Sequence, residues 1–83
     1  MDVQVLRSFA EVGSHLSVTQ AAMSLGYTQS AVSQHVQRME RVLGGRLIER
    51  SGRGVVLTEL GDRALPLARV IVVRGRAVEA QAV

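Results

Sequence analysis

The residues of this 83-residue chain whose types and spacing could do chemistry lie along a predicted helix from Thr28 to about Gly44. One face of this helix carries hydroxyl, amide and guanidinium groups and no carboxylate: Ser30, Ser33, Gln34, Gln37, Arg38 and Arg41. Such groups form hydrogen bonds with base edges and phosphates. The opposite face carries an apolar stripe at helical spacing: Val32, Val36, Met39 and Leu43. A helix with these two faces can enter a DNA major groove.

Two shorter helices are predicted before it. The first should span about residues 3–15, with these side chains facing inward: Val5, Leu6, Phe9 and Val12. Ser17 and Gln20 form a capping box for a second helix, which should end at Gly26. Thr28 is then placed to cap the third helix. Residues 26–28 therefore predict the short turn of a helix-turn-helix.

A basic hairpin and a long helix are predicted after it. Residues 47–50 and 55–57 favour two short strands, joined by a turn at residues 51–54. Thr58 should cap the last helix, which Pro66 should bend. Apolar residues recur in this helix about every 3.5 positions: Leu60, Ala64, Leu67, Ile71, Val78 and Ala82. A domain of this size has no spare surface for that seam, so we expect a second copy to cover it; a frayed, partly solvated tail is the alternative.

The predicted fold is mainly α: a winged helix-turn-helix with three helices and a two-stranded wing in residues 1–58, followed by a linker and dimerisation helix in residues 59–83. The absence of cysteine excludes disulfides and thiolate metal sites. No secretory pattern or membrane-length apolar run is found, so a cytoplasmic address is expected. His15 and His35 lie in no catalytic motif; His35 is expected to touch DNA or to point sideways. We expect no enzyme activity, cofactor or metal.

The positive charge is concentrated on the predicted third helix and hairpin. Residues 34–57 hold five arginines against two glutamates, a net charge of +3, whereas residues 1–33 have a net charge of −1. This distribution favours a polyanionic partner, although a solvated basic face is an alternative.

A family resemblance rests on residues at fixed spacing: Ser17, Ala21, Ala22, Leu25, Gln29, Ala31, Val32, Ser33, Glu40, Gly44, Leu47, Glu49, Arg50, Leu57, Thr58 and Gly61. Over roughly residues 3–70 the chain resembles the N-terminal DNA-binding domain of LysR-type transcriptional regulators. The resemblance implies a winged helix-turn-helix and a linker helix that pairs antiparallel with that of a second protomer. It also implies a C-terminal effector-binding domain, absent from this chain, for any small-molecule effector.

The resemblance places Gln29 and Ser33 at groove-facing positions and Arg53 where the wing reaches phosphate or the minor groove. The residues predicted to contact base edges are Gln29, Ser30, Ser33 and Gln34. Many members have proline at position 30 and arginine at position 34, so the preferred DNA sequence should differ from that of an arginine-bearing relative.

Contacts to the DNA backbone are predicted for Ser17, Thr28, Gln37, Arg38, Arg41, Arg50 and Arg53. Competing structural roles remain open. Ser17 and Thr28 could serve only as helix caps, Gln37 and Arg41 could simply be solvent-exposed, and Arg50 could pair with Glu40 or Glu49.

The predicted partners are double-stranded DNA with an inverted-repeat operator and a second copy of the chain, with no membrane. The expected location is the bacterial cytoplasm, associated with the nucleoid. The alternative function is a winged-helix module for protein interaction or dimerisation. That module would show apolar or acidic residues on the face where this chain has serine, glutamine and arginine.

Overall fold

The computed structural model describes residues 1–82, with side chains described for residues 1–75. Its elements are α1 (Val3–His15), α2 (Val18–Leu25), α3 (Gln29–Leu43), β1 (Ile48–Ser51), β2 (Gly54–Leu57) and α4 (Glu59–Ala82). The predicted mainly α winged helix-turn-helix fold is confirmed. The strands are antiparallel, with Ile48 opposite Leu57 and Ser51 opposite Gly54, so the hairpin turn contains only Gly52 and Arg53.

Short polar side chains begin the helices. The hydroxyl of Ser17 accepts a hydrogen bond from the Gln20 amide at 3.1 Å, and that of Thr28 accepts from the Ala31 amide at 3.0 Å. Thr58 does the same for α4 by accepting from Gly61. Each cap satisfies a backbone donor that has no partner within its helix. The predicted helix starts follow from these local bonds.

The core is built around α1, which packs against α2, α3 and α4. Its four predicted inward-facing side chains are all buried, as are Val32, Val36 and Met39 of α3. The prediction that Leu43 continues the buried stripe of α3 is wrong, because this side chain is 42% exposed. It lies in the last turn of α3, where the helix extends past the core.

The first half of α4 belongs to this core. Its buried residues are Ala64, Leu65, Ala68 and Val72, and Leu65 lies against Gly13 of α1. The expectation that this protomer has no surface to cover the helix is therefore wrong for this stretch. Residues 59–72 pack with residues 1–58, so the predicted boundary at residue 58 does not divide two separately packed bodies.

The predicted seam of α4 is divided by this packing. Ala64 is buried and Leu60 packs against the core, whereas Leu67 and Ile71 are 67% and 45% exposed. Val78 lies outside the described side chains. Of the described seam residues, only Leu67 and Ile71 thus present substantial apolar surface to solvent.

Gly26 ends α2 with a φ of +70°, in the left-handed region that most side chains avoid. A Cβ atom built there meets nothing within 4 Å. We expect Gly26→Ala to lower the free energy of unfolding by about 1 kcal/mol through backbone conformation alone. Gly26→Asn should cost less, because asparagine tolerates this region. Urea unfolding followed by circular dichroism measures both, and equal losses would contradict this cause.

Candidate nucleic-acid interface

The four predicted base-edge residues lie together on the first two turns of α3. Gln29, Ser30 and Gln34 are exposed, and Ser33 is half-buried. The buried Val32 and Val36 hold the opposite side of the helix against the core. The burial of one face therefore turns the amide and hydroxyl groups of the other face toward solvent.

Three further candidates continue along α3. Gln37, Arg38 and Arg41 are all exposed. Because residues three and four apart share a helix face, Gln37 and Arg41 lie above one another. This placement fits both the predicted phosphate contacts and plain exposure to solvent.

The two cap residues use their hydroxyl oxygens within the fold. Ser17 and Thr28 each accept a hydrogen bond from the amide three residues ahead. The capping roles of these residues are confirmed. Each hydroxyl hydrogen can still be donated outward, so a cap can also bind a phosphate oxygen.

The hairpin presents its arginines away from the core. Arg53 lies in the two-residue turn and Arg50 on β1, and both are exposed. Arg50 lines a cleft of about 320 Å³ between α3 and the hairpin, together with Ser33 and Gln37. The alternative in which Arg50 pairs with Glu40 or Glu49 is wrong. Glu40 pairs instead with Arg46, at 3.3 Å between Oε2 and Nε.

Residues 34–57 keep a net positive charge at the surface, although Glu49 is exposed among them and Arg46 pairs with Glu40. All five of their arginines are exposed: Arg38, Arg41, Arg46, Arg50 and Arg53. Glu40 is shielded, since only 13% of its side chain is accessible. The surface formed by α3 and the hairpin therefore carries a positive field suited to a polyanion.

Sequence reasoning missed a polar cluster behind α3. Ser8 of α1 is fully buried, and its hydroxyl lies 2.7 Å from Nδ1 of His35. The ring of Tyr27, in the turn before α3, meets His35 edge to face at 5.7 Å between centroids. His35 therefore points toward α1. The one available signal was the position of Ser8 between Val5 and Val12 on the inward face of α1.

In the part of the chain that the structure describes, no group of three or more histidine or acidic side chains is placed to bind a metal. No helix within residues 1–82 combines the length and apolar character needed to cross a membrane. His15 pairs with Glu11 at the end of α1, at 3.1 Å.

A helix-turn-helix followed by a two-stranded hairpin is the fold of a winged helix-turn-helix domain. In this chain the third helix exposes amides and arginines beside a basic hairpin. The family model described as "Bacterial regulatory helix-turn-helix protein, lysR family" matches residues 3–62. The chain thus belongs to the LysR family of bacterial regulatory helix-turn-helix proteins, which confirms the predicted membership.

Sequence relatives carry the names of transcriptional regulators. The regulator DgdR of Burkholderia cepacia is 41% identical over 71 residues, which cover 86% of this chain and 24% of DgdR. The activator AmpR of Citrobacter freundii is 45% identical over 62 residues, covering 75% of this chain and 21% of AmpR. The chain spans about a quarter of the length of these curated relatives.

Two similar solved structures are DNA complexes of isolated DNA-binding domains. The CbnR domain bound to DNA has a TM-score of 0.86 and 32% identity, covering 99% of this chain and 95% of that one. The BenM domain with catB site 1 DNA has a TM-score of 0.87 and 29% identity, covering 99% and 92%. Nearly the whole described chain therefore has the shape of these domains.

The buried bond between Ser8 and His35 should stabilise the position of α3. We expect Ser8→Ala to lower the free energy of unfolding by about 1–3 kcal/mol, because Nδ1 of His35 loses its partner. Ser14→Ala, on the same helix, removes only an exposed hydrogen bond from Arg69 at 3.2 Å and should change it by less than about 0.5 kcal/mol. Chemical unfolding of both variants tests this, and similar losses would rule out the buried bond as the cause.

Proposed function

We propose that this chain binds double-stranded DNA sequence-specifically as the reading domain of a LysR-type transcriptional regulator. The observation that carries the proposal is the exposed face of α3, where amides and hydroxyls stand beside arginines and no carboxylate is fully exposed. The DNA complexes of the similar CbnR and BenM domains support it. We propose no catalytic role.

In this proposal α3 enters the major groove with its N-terminal half. Gln29, Ser30, Ser33 and Gln34 contact base edges and choose the sequence. Their clustering on two adjacent turns matches the few base pairs that one recognition helix can reach.

Contacts to the sugar-phosphate backbone set the affinity and the salt dependence. We assign these contacts to Ser17, Thr28, Gln37, Arg38, Arg41, Arg50 and Arg53. The wing, residues 48–57, lies over phosphate or the minor groove. Ser33 and Gln37 of α3 and Arg50 of the wing line the same cleft, so α3 and the wing face a bound duplex from one side of the molecule.

We further propose that two copies of the chain pair through α4 and read an inverted repeat. Leu67 and Ile71 lie four residues apart on one exposed side of the helix. Leu60 and Ala64 are engaged with the core, so the pairing is centred on Leu67 and Ile71, and Val78 would extend it.

The activity of a longer protein is also a proposal, since the matched relatives are about four times as long. We propose that this domain delivers a C-terminal effector-binding domain to its operator in the bacterial cytoplasm, at the nucleoid. Any small-molecule effector would bind that other domain.

Base and phosphate contacts should respond differently to mutation. A preferred duplex is first selected from a random pool, and a scrambled duplex is the control. Gln29→Ala or Ser33→Ala should cost about 1–3 kcal/mol on the preferred duplex only. Arg53→Ala should weaken binding to both duplexes and reduce the salt slope by about one. Fluorescence anisotropy measures these affinities.

Two results would contradict this assignment. Equal losses for Gln29→Ala on both duplexes would rule out base reading by this residue. Failure of the unmodified chain to bind any duplex in a salt-dependent way would favour the alternative, a protein-interaction module on the same fold.

Pairing through α4 predicts a dimer that Leu67→Glu with Ile71→Glu disrupts. Loss of two apolar contacts should raise the dissociation constant about a hundredfold. Val73→Glu is the matched control, because Val73 is 62% exposed on the other side of the same helix. Light scattering at several concentrations gives the oligomeric state. A monomeric unmodified chain, or equal effects of both variants, would refute the pairing.

A further inference from the structure

One carboxylate joins the recognition helix α3 to the base of the wing. Oε2 of Glu40, in the last turns of α3, accepts a hydrogen bond from the backbone amide of Leu47 at 2.7 Å. The same oxygen accepts a second bond from Nε of Arg46 at 3.3 Å. The Glu40 side chain therefore holds the two residues that directly precede β1.

These two residues are also bound to the other end of the hairpin. The Leu47 carbonyl accepts a hydrogen bond from the Thr58 amide at 3.0 Å, and the Leu47 side chain is fully buried. Nη2 of Arg46 donates to the carbonyl of Ile48 at 3.1 Å. The position of Leu47 therefore affects both strands of the wing.

Apolar contacts hold the base of the wing but not its tip. Of its two four-residue strands, Val55 is buried and Ile48 and Leu57 are partly buried against the core, whereas residues 51–53 are exposed. An isolated two-stranded hairpin is only marginally stable, so contacts at its base must orient it. On the other side, the Val55 amide donates to the Leu16 carbonyl, which ties β2 to the corner between α1 and α2. From α3, apolar packing reaches Val55 through the shared core, and the Glu40 side chain supplies the hydrogen bonds to the residues before β1.

A change in the angle of the wing at its base moves Arg53 at its tip. Arg53 lies five residues beyond Ile48, which corresponds to about 16 Å along an extended strand. At that length a tilt of about 10° at the base moves the tip by about 3 Å, as far as a hydrogen bond is long. A guanidinium displaced by this distance would no longer reach the DNA phosphate oxygen to which it donates a hydrogen bond.

We propose that Glu40 is a positioning residue for DNA binding, which sets the distance between the base-reading half of α3 and Arg53 at the wing tip. It does so without touching DNA. The inference rests on the proposed DNA-binding function and deepens it, because it adds a residue that determines how the two contact surfaces are held together.

Charge alone predicts the opposite effect, which makes the inference testable. A carboxylate beside a DNA-binding surface repels phosphates, so its removal should strengthen binding if Glu40 has no further role. If Glu40 positions the wing, its removal should weaken binding. The sign of the change in affinity therefore separates the two roles.

The test compares three variants of the 83-residue chain on mixed-sequence duplex DNA. Glu40→Ala removes the anchor and should weaken binding about tenfold, while lowering the salt slope by about one phosphate contact. Glu40→Gln removes the charge but keeps an oxygen that can accept from Leu47, so its loss should be smaller. Glu49→Gln is the matched control, because Glu49 is an exposed carboxylate on β1. It should leave binding equal or slightly tighter.

A double-mutant cycle identifies the route of the effect. If Glu40 acts through the wing, Arg53→Ala should cost little in a Glu40→Ala background, so that the two losses are not additive. On the preferred duplex, where Gln29→Ala is expected to cost affinity, the losses from Glu40→Ala and Gln29→Ala should add, because Gln29 lies at the other end of α3. Circular dichroism and urea unfolding confirm which variants are folded, and Glu40→Gln carries the test if Glu40→Ala is not.

Each outcome decides a different question. Unchanged or tighter binding by both Glu40 variants, or additive losses with Arg53→Ala, would overturn the positioning role while leaving DNA binding intact. Absence of DNA binding by the unmodified chain would instead refute the proposed function itself.

Discussion

Burial of Val32, Val36 and Met39 decides which side chains of α3 can meet a ligand. All three are at most 3% exposed, and full burial of an aliphatic side chain is worth about 1.5–3 kcal/mol. Turning α3 about its axis would expose them and would consume most of the 5–15 kcal/mol that typically separates folded from unfolded chains. The bond between Ser8 and His35 adds a directional contact on the same helix. The exposed amides and hydroxyls of α3 are thus held in place by what lies behind them.

The wing is stabilised in a different way. Its base packs on the core through Val55 and, partly, through Ile48 and Leu57, and backbone hydrogen bonds add directional contacts there. Leu47, directly before β1, and Val55, on β2, are buried, and each is bonded through its backbone to another part of the fold. Directional bonds of this kind define an orientation sharply but contribute only about 0.5–1.5 kcal/mol each. The helix is therefore the rigid half of the surface and the wing the half that is more easily displaced.

The features that could be predicted from the sequence depend on neighbours within about one helical turn. The caps at Ser17 and Thr28, the stop at Gly26 and the buried stripe of α3 are of this kind. The exposure of Gln29, Ser30 and Gln34 follows from the same periodicity. The contact with DNA that we propose for them would be a property of a complex, and helical spacing does not contain it.

The features that were missed depend on how distant segments meet. Ser8 and His35 are 27 residues apart, and nothing in either neighbourhood indicates their bond. The choice of Arg46 over Arg50 as the partner of Glu40 depends on the path of the loop into β1. The apolar repeat of α4 predicts a face that needs a cover, but periodicity does not distinguish a cover within the protomer from one outside it. The packing of α1 against α4 decides this for residues up to Val72.

The packing of α1 against α4 has a second consequence. One side of the helix is fixed to α1, which is packed against α3, while Leu67 and Ile71 lie beside the fixed side. No flexible joint separates the exposed stripe from the recognition helix. In the proposed dimer, the angle at which two α4 helices pair would therefore determine where the two α3 helices lie. The 24 residues of α4 extend about 36 Å, which is close to one turn of DNA. The spacing of the half-sites would then be set by a helix that need not touch the bases.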